Sequence, residues 1–517
     1  MTLGDLLSVL DRSGVLARPA ANGQGSALGG LRVESIAYDS RAAADGALFV
    51  ALRGARFNGV DFARQAIENG AVAVVAGEDP PADVPVPWIR VNDDRLALAL
   101  LAARFYGDPG RSMRVVGITG TNGKTTTSYL VQSVFEAAGI PCGLIGTVQY
   151  RVGSEAREAA RTTPEAPDVQ RMLREMADAG CGACAMEVSS HALALKRADG
   201  LEFAAGVFTN LTIDHLDFHG DMDRYFAAKR RLFELLPHGA PSILNVDDRR
   251  GAALAAQFVP RLTYALDTPA DVMPAAPPSS LTGLSFDART PAGTVRVRSS
   301  LAGRFNVFNL LAATATGVAL GLPVSAIEAG LERVTLVPGR FQVVSSEADD
   351  GLCVIVDYAH TDDALRNLLN AVRPMAAGRL TTVFGCGGDR DRKKRPLMGT
   401  VAARLSDTVV LTSDNPRSED PERILDEIEQ GTAPEIGRAR TLDRAAPGGP
   451  AAPRAWRIPD RREAIDWAVA QAAPGDVVVI AGKGHEKYQV SGGEVRPFDD
   501  VVVAREALAR RRLGRAS

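Results

Sequence analysis

The chain has 517 residues, 46% of them hydrophobic and 23% charged, which leaves room for several domains and excludes wholesale disorder or a collagen-like repeat. Its 59 Lys+Arg against 62 Asp+Glu give a net charge of -3, so the broad basic surface of a nucleic-acid or anionic-membrane binder is missing and any anionic ligand must be held by local sites. Five scattered cysteines argue against a disulfide framework and for a reducing compartment.

Residues 1–111 alternate short apolar runs (Ile36-Ala-Tyr, Ala47-Leu-Phe-Val-Ala-Leu, Ala71-Val-Ala-Val-Val-Ala) with polar turns and helical stretches at 62–69 and 94–106. That is α/β texture, closed by the breaker Gly107-Asp-Pro-Gly. The first residues lack the basic start and long apolar run of a signal peptide, and no stretch reaches the roughly 18 apolar residues of a membrane helix, so a cytoplasmic protein is expected.

Residues 112–337 open with a strand at 113–118, a glycine-rich turn, and a helix from Lys124 to Ala138 that Gly139 ends. Strand, glycine loop and helix in that order begin a nucleotide-binding α/β domain. Further strands are expected at 182–188, 206–209 and 242–245, irregular or hairpin structure at 267–293, and a helix at 306–320. Cys181 and Cys184, without a second pair to complete a zinc site, read as part of a buried strand. Residues 338–517 follow the break Leu336-Val-Pro-Gly-Arg340 and alternate strands (353–356, 380–384, 408–412, 476–480) with helices (362–372, 395–405, 461–472), interrupted by a low-complexity loop at 445–455. This pattern predicts a second doubly wound domain.

The strongest chemical signal is Gly117-Ile-Thr-Gly-Thr-Asn-Gly-Lys-Thr-Thr, whose backbone N–H groups can surround phosphate, with Lys124 neutralising charge and the Thr125 hydroxyl available to Mg²⁺. It departs from the usual phosphate loop because Ile118 stands where the first glycine is expected. Glu187, at a strand end, is placed like a metal-binding carboxylate or like any strand-end acid. Asp214, His215, Asp217, His219 and Asp221 crowd one loop after a strand, a density that suggests hard-cation chemistry beside phosphate. Taken on its own residues, Lys229 reads as a solvated lysine on a helix.

In their order, Asp39-Ser-Arg, Gly117 to Thr126, Thr162-Thr-Pro, Met186-Glu-Val-Ser-Ser-His191, Asp214-His-Leu-Asp-Phe-His219, Lys229, Gly303 to Asn309, Pro338-Gly-Arg340, Asp357-Tyr-Ala-His-Thr361, Gly387-Gly-Asp-Arg390, Asp414-Asn-Pro-Arg417 and Gly482-Lys-Gly-His-Glu486 resemble the Mur ligases, ATP-dependent amide-forming enzymes of peptidoglycan precursor synthesis. The resemblance spans essentially the whole chain. It implies three domains: a central P-loop-type ATP-binding α/β domain (112–337) between an N-terminal uridine-nucleotide α/β domain (1–111) and a C-terminal Rossmann-like amino-acid domain (338–517).

The resemblance also implies ATP held by Gly120, Thr121, Asn122, Gly123, Lys124, Thr125 and Thr126, with Asn306 and Asn309 near adenine, Arg340 near the nucleotide and Asp357 near ribose. Two Mg²⁺ ions are implied, with Thr125, Glu187, His215 and a CO₂-derived carbamate on Lys229 as ligands. Tyr38, Ser40 and Arg56 match the uridine end of a UDP-N-acetylmuramoyl dipeptide, and Thr162, Thr163, Ser189 and Arg197 its peptide end. Arg161 and Leu195 depart from the polar residues familiar at those places.

Asp414-Asn415-Pro416-Arg417 matches the branch that adds meso-diaminopimelate, Arg417 reading the extra carboxylate, with Arg390, Gly482 and Glu486 as further contacts. A planar guanidinium holds a carboxylate bidentately, although Asp-Asn-Pro also makes a turn on its own. A monomer without nucleic-acid or membrane partners is expected. The rival readings are a lysine-adding relative, folylpolyglutamate synthetase, and a P-loop switch that hydrolyses ATP without an amino acid.

Overall fold

The computed structural model describes residues 1–17, 29–54, 57–276, 283–349, 351–441 and 454–516. Arg56 and most of the 445–455 loop lie outside these residues. Three parallel-rich sheets follow one another along the chain. The first has the order β1 (Ser35–Ala37), β2 (Ala47–Ala51), β3 (Ala71–Ala76), β4 (Trp88–Arg90), all parallel. The helices Leu3–Arg12 and Asp94–Phe105 cover one face of it. The sequence reading passed over the first of these helices, although Thr2 and Asp5 form a reciprocal capping box at its start.

The second sheet carries eight strands: β5 (Arg114–Thr119), β6 (Cys142–Ile145), β7 (Gln149–Val152), β8 (Glu155–Glu158), β9 (Ala183–Glu187), β10 (Phe203–Phe208), β11 (Ser242–Asn245) and β12 (Arg261–Tyr264). Their order is β12-β11-β10-β5-β9-β6-β7-β8, with β6–β8 antiparallel at one edge. Strand β5 sits in the middle, fully buried from Val115 onward, as its continuous apolar run requires. Cys184 lies inside β9 and Cys181 is buried just before it, and all five cysteines are free. A small antiparallel sheet, β13 (Met273–Pro274), β14 (Leu284–Thr290) and β15 (Gly293–Ser299), begins within the stretch expected to be irregular or hairpin and runs past its end. Its alternating burial lays Leu284, Phe286, Val295 and Val297 on the central core.

The third sheet has the order β16 (Gln342–Val343), β17 (Cys353–Asp357), β21 (Val477–Ala481), β18 (Leu380–Phe384), β19 (Thr408–Leu411), β20 (Ala455–Arg457). Helices Asp362–Val372 and Lys394–Leu405 cover one face, and Arg461–Gln471 and Asp500–Ala516 the other. A hairpin, β22 (Tyr488–Ser491) and β23 (Glu494–Pro497), follows β21. The strand order reverses beside β21, and the carboxyl ends of β17, β21, β18 and β19 open toward the central sheet, the place where open α/β sheets bind ligands.

Candidate functional site

Between β5 and the helix Lys124–Ala137 the chain turns tightly around Gly120 and Gly123. A Cβ at Gly120 would lie 1.8 Å from Thr209 Oγ1, so the loop can follow this course only without a side chain. Lys124 folds over the loop, its Nζ donating to the Gly120 and Thr121 carbonyls at 3.0 and 2.8 Å, and burial lowers its pKa. Next to it Thr125 Oγ1 donates to Glu187 Oε2 at 3.1 Å. Glu187 also accepts from Thr147 N (2.8 Å) and Thr147 Oγ1 (2.9 Å), which fixes both of its oxygens at the end of β9. Arg340 reaches across from the third domain, its Nη2 donating to Thr125 Oγ1 at 3.1 Å.

Lys229 is not the solvated lysine its helix pattern predicts. The helix Met222–Glu234 turns it inward until it is 1% exposed, and its Nζ donates to Gly120 O at 2.6 Å and stands 4.5 Å from the Tyr225 ring centroid. The periodicity misleads because the helix is packed beneath the glycine loop at 120–123, a tertiary fact absent from local pattern. Burial, reinforced by Lys124, drives the Lys229 pKa well below its ordinary value, so the amine is held toward its neutral form.

His215 opens a short helix, Leu216–His219, where a plain loop was expected, and adopts a positive φ of 54°. Its Nε2 lies 3.3 Å from Asp214 Oδ2, and its ring meets His191 edge-on at 4.7 Å between centroids. Burial pushes its pKa down to about 3, leaving a neutral imidazole. His219 is taken up by Ser190, at 2.9 Å. Among the described residues no group of three or more His, Cys, Asp and Glu side chains is gathered for a metal ion. The oxygens of Thr125 and Glu187 nevertheless converge beside the phosphate loop, and hard oxygen donors of that kind suit Mg²⁺.

Two cavities meet here. One, of about 680 Å³, is lined by residues 121–126, Glu187, Asn309, Arg340 and Asp357, and the other, of about 730 Å³, by Arg390, Asp414, Asn415, Arg417, Gly482 and Glu486. Thr147, Thr162, Asp214, His215, Tyr358 and His360 line both. Asn306 lies behind the first cavity: its Oδ1 accepts from Asn309 Nδ2 at 2.9 Å and it orients the residue that does face the space. Asp357 accepts the backbone N–H groups of Phe341 (2.6 Å) and Ala359 (2.7 Å), while burial raises its pKa.

Thr162 and Thr147 share a hydroxyl contact of 3.0 Å. Thr163 Oγ1 donates to the Glu187 carbonyl at 2.8 Å and accepts from Ser189 N at 3.0 Å, and Ser189 caps the helix Ser190–Ala194. Arg197 pairs with Glu165 at 2.7 Å, and Arg161, the departure from the familiar pattern, meets the same carboxylate at 3.1 Å. In the second cavity Arg417, at φ 54°, donates to Gly388 O at 2.7 Å, and exposed Arg390 donates to Asp389 O at 3.0 Å. Pro416 lies in an irregular stretch before Arg417, which forms an isolated parallel bridge to Ser491.

Tyr38 and Ser40 line neither of these cavities. Tyr38 donates to Asp168 Oδ2 at 2.7 Å and so ties the first sheet to the helix Ala166–Asp178, and Ser40 donates to Gln65 Oε1 at 2.8 Å. Lys483, Arg395 and Arg461 were not singled out from the sequence, yet all three side chains are fully buried around the second cavity. Arg395 pairs with Glu419 and Glu427 and holds the Gly387 carbonyl at 3.1 Å. Neither Arg395 nor Arg461 carries a local signal, because both sit in charge-rich stretches (389–395 and 460–463) of the kind that usually face solvent.

Comparison with known proteins finds three family models along the chain: "Mur ligase family, catalytic domain" at 32–106, "Mur ligase middle domain" at 118–317 and "Mur ligase, glutamate ligase domain" at 339–484. The chain is 48% identical over 484 residues to the UDP-N-acetylmuramoyl-L-alanyl-D-glutamate--2,6-diaminopimelate ligase of Geobacter metallireducens, covering 91% of this chain and 93% of that protein. It is 46% identical over 513 residues to the protein of the same name in Solibacter usitatus, covering 98% of each. A solved structure of a ligase with that name matches with TM-score 0.64 at 35% identity, over 93% of this chain and 95% of the other. The D-alanyl-D-alanyl-adding ligase of Acinetobacter baumannii, at 18% identity and TM-score 0.61 over 99% and 98% of the two chains, shares the fold.

Proposed function

Because the chain belongs to the Mur ligase family, we propose that it joins 2,6-diaminopimelate, in its meso form, to the D-glutamate γ-carboxylate of UDP-N-acetylmuramoyl-L-alanyl-D-glutamate at the expense of ATP. The reaction belongs to peptidoglycan precursor synthesis. The observation that carries this reading is the meeting of a phosphate-loop cavity and an arginine- and carboxylate-lined cavity at six shared residues, which lets an activated carboxylate and an amine reach one another.

A carboxylate resists attack by an amine until an oxygen becomes a good leaving group. In the proposed sequence the γ-carboxylate attacks the terminal phosphorus of ATP, the bond to ADP breaks, and an acyl phosphate forms. The free amine then adds to the acyl carbon, and the tetrahedral intermediate expels phosphate and loses a proton to leave the amide. Lys124 and the loop of residues 120–126, through the N–H groups of residues 123–126, take the phosphate charge, with Asn309 and Asp357 at the nucleoside. Thr162, Thr163, Ser189 and Arg197 are assigned to the dipeptide, and Ser40, Tyr38 and Arg56 to the uridine end.

Thr125, Glu187, His215 and a carbamylated Lys229 would hold Mg²⁺, which when bound offsets repulsion between the two reacting anions. The neutral amine supports the carbamate: its nitrogen lone pair bonds to CO₂ carbon and a proton departs, giving an anionic oxygen donor. Arg417 is assigned to the distal carboxylate of diaminopimelate, with Arg390, Gly482 and Glu486 as further contacts, Glu486 toward the distal ammonium. We assign 1–111, 112–337 and 338–517 to uridine-nucleotide, ATP and amino-acid binding, in a cytoplasmic monomer. None of the described helices is long and apolar enough to cross a membrane.

The test is phosphate release with ATP and the UDP-muramoyl dipeptide against meso-diaminopimelate, L-lysine and D-alanyl-D-alanine. Release that needs meso-diaminopimelate is expected. Equal rates with L-lysine would reassign the amino acid, and release without any amino acid would sink the ligase reading.

A further inference from the structure

One fully buried cation, behind the lining of the second cavity, has no part in the proposed reaction. Lys483, 0% exposed, follows β21 directly, in a setting where an unpaired ammonium would be costly. Its Nζ donates to Asn415 Oδ1 at 3.0 Å and to Glu486 Oε2 at 3.1 Å. Asn415 closes the triangle, Nδ2 donating to the same glutamate oxygen at 2.7 Å, while its Oδ1 also accepts Val490 N at 3.0 Å. Both polar atoms of Asn415 and one oxygen of Glu486 are thus committed within the protein. Glu486 Oε1 takes no donor from the described residues.

Asp414 stands beside this triangle with a carboxylate that accepts no hydrogen bond from the described residues, although the residue is only 8% exposed. Gly482, at φ 116°, makes room for it, since a Cβ there would lie 2.6 Å from Asp414 Oδ2. Two carboxylates and one internal ammonium leave this end of the cavity with a single uncompensated negative charge.

We propose that Lys483 is a positioning residue: it keeps Glu486 ionised and turned so that Glu486 Oε1 and the Asp414 carboxylate together receive one ligand ammonium. The inference rests on the amino-acid site of the proposed function and names what sets its charge. Burial, and then Asp414, raises the Glu486 pKa, and Lys483 and Asn415 oppose that rise. Tyr358, Tyr488 and Arg461 are the other titratable groups that sense Glu486. Removing Lys483 would leave Glu486 facing Asp414 without its counter-ion, so the carboxyl would hold its proton to higher pH.

The experiment uses the full chain and measures phosphate release against meso-diaminopimelate from about pH 6 to pH 9. For Lys483→Met we expect KM for meso-diaminopimelate to rise roughly tenfold with kcat within about threefold, the KM profile to move to higher pH, and KM for ATP to stay unchanged. Lys483→Arg should restore part of the loss. An unchanged KM for meso-diaminopimelate, or a fall in kcat with no movement of the pH profile, would overturn the proposal.

Should Lys483→Met not fold, the double variant Lys483→Met, Glu486→Gln removes both buried charges and is compared with Glu486→Gln alone. If Lys483 acts through Glu486, the double variant is no worse in KM, and a further increase sinks the idea. Wild-type enzyme inactive with meso-diaminopimelate would refute the functional reading itself, whereas an active wild type with an indifferent variant refutes only the role of Lys483.

Discussion

Replacing Arg417 tests amino-acid selection most directly. The half-buried side chain spends one donor, Nη1, on the Gly388 carbonyl at 2.7 Å, which fixes the plane of the guanidinium and leaves Nη2 and Nε for a ligand. Two charge-assisted hydrogen bonds to a carboxylate contribute about 1.5 to 3 kcal/mol each, and partial exposure favours the lower figure. Arg417→Ala should therefore lower kcat/KM for meso-diaminopimelate by about 3 kcal/mol, or roughly 150-fold. L-lysine, which has no distal carboxylate, should lose less than about threefold. Arg417→Lys should resemble the alanine variant, because a point charge cannot reproduce the fork. The assay is phosphate release with each amino acid at saturating ATP and dipeptide. Equal losses with both amino acids would mean that the substitution merely damages the Gly388 loop, and the assignment of Arg417 would fall.

Lys124→Ala should abolish phosphate release, and a variant turning over near the wild-type rate would dismiss the phosphate cradle. In CO₂-depleted buffer Lys229→Met should be inactive yet melt at a higher temperature than wild type near neutral pH. The Lys229 pKa is lowered from 10.5, so between its folded and ordinary values the unfolded chain carries a proton the folded chain lacks. Stability from this site rises with pH across that window, and the melting difference should shrink toward pH 10.5; a constant difference would refute it. Arg461, paired with Asp500 at 2.8 Å with both side chains 0% exposed, should cost about 3 to 5 kcal/mol on mutation to Met in chemical denaturation. The double variant with Asp500→Leu should recover most of that loss. Tyr38→Phe and Asp168→Asn should couple by about 1 kcal/mol in a stability double-mutant cycle. An increase in KM for the UDP substrate with no coupling would instead favour a direct uridine contact.

The inner parallel strands of the central and third domains were legible because their apolar runs are continuous and bounded by turn residues, as in 114–119 and 477–481, whereas short or edge strands such as Gln149–Val152, Arg261–Tyr264 and Ala455–Arg457 lack such runs. The tight turn at Gly120 and Gly123 was legible because its glycines stand between an apolar strand run and a helix start. Long amphipathic helices such as Ala166–Asp178 and Pro421–Ile436 went unread beside stronger motifs. The inward turn of Lys229, the union of Thr125, Glu187 and Arg340, and the Lys483 triangle depend on which domain faces which. Local pattern carries no record of that. Tyr38 carries a partner that no local pattern announced, the carboxylate of Asp168, 130 residues further along the chain.

The third domain meets the central one through two kinds of contact. Arg340 on Thr125 and Asn122 on Asp363 are polar and border the cavity of about 680 Å³, whereas Phe305, which lines the same cavity, meets Phe341 with tilted rings at 6.0 Å between centroids, and Ala302 packs on the same third-domain core. Water can replace the first kind with little loss, but not the second. The polar contacts would therefore part more readily than the aromatic pair, and substitutions at Phe305 or Phe341 should weaken the register between the two halves more than the affinity for any single substrate.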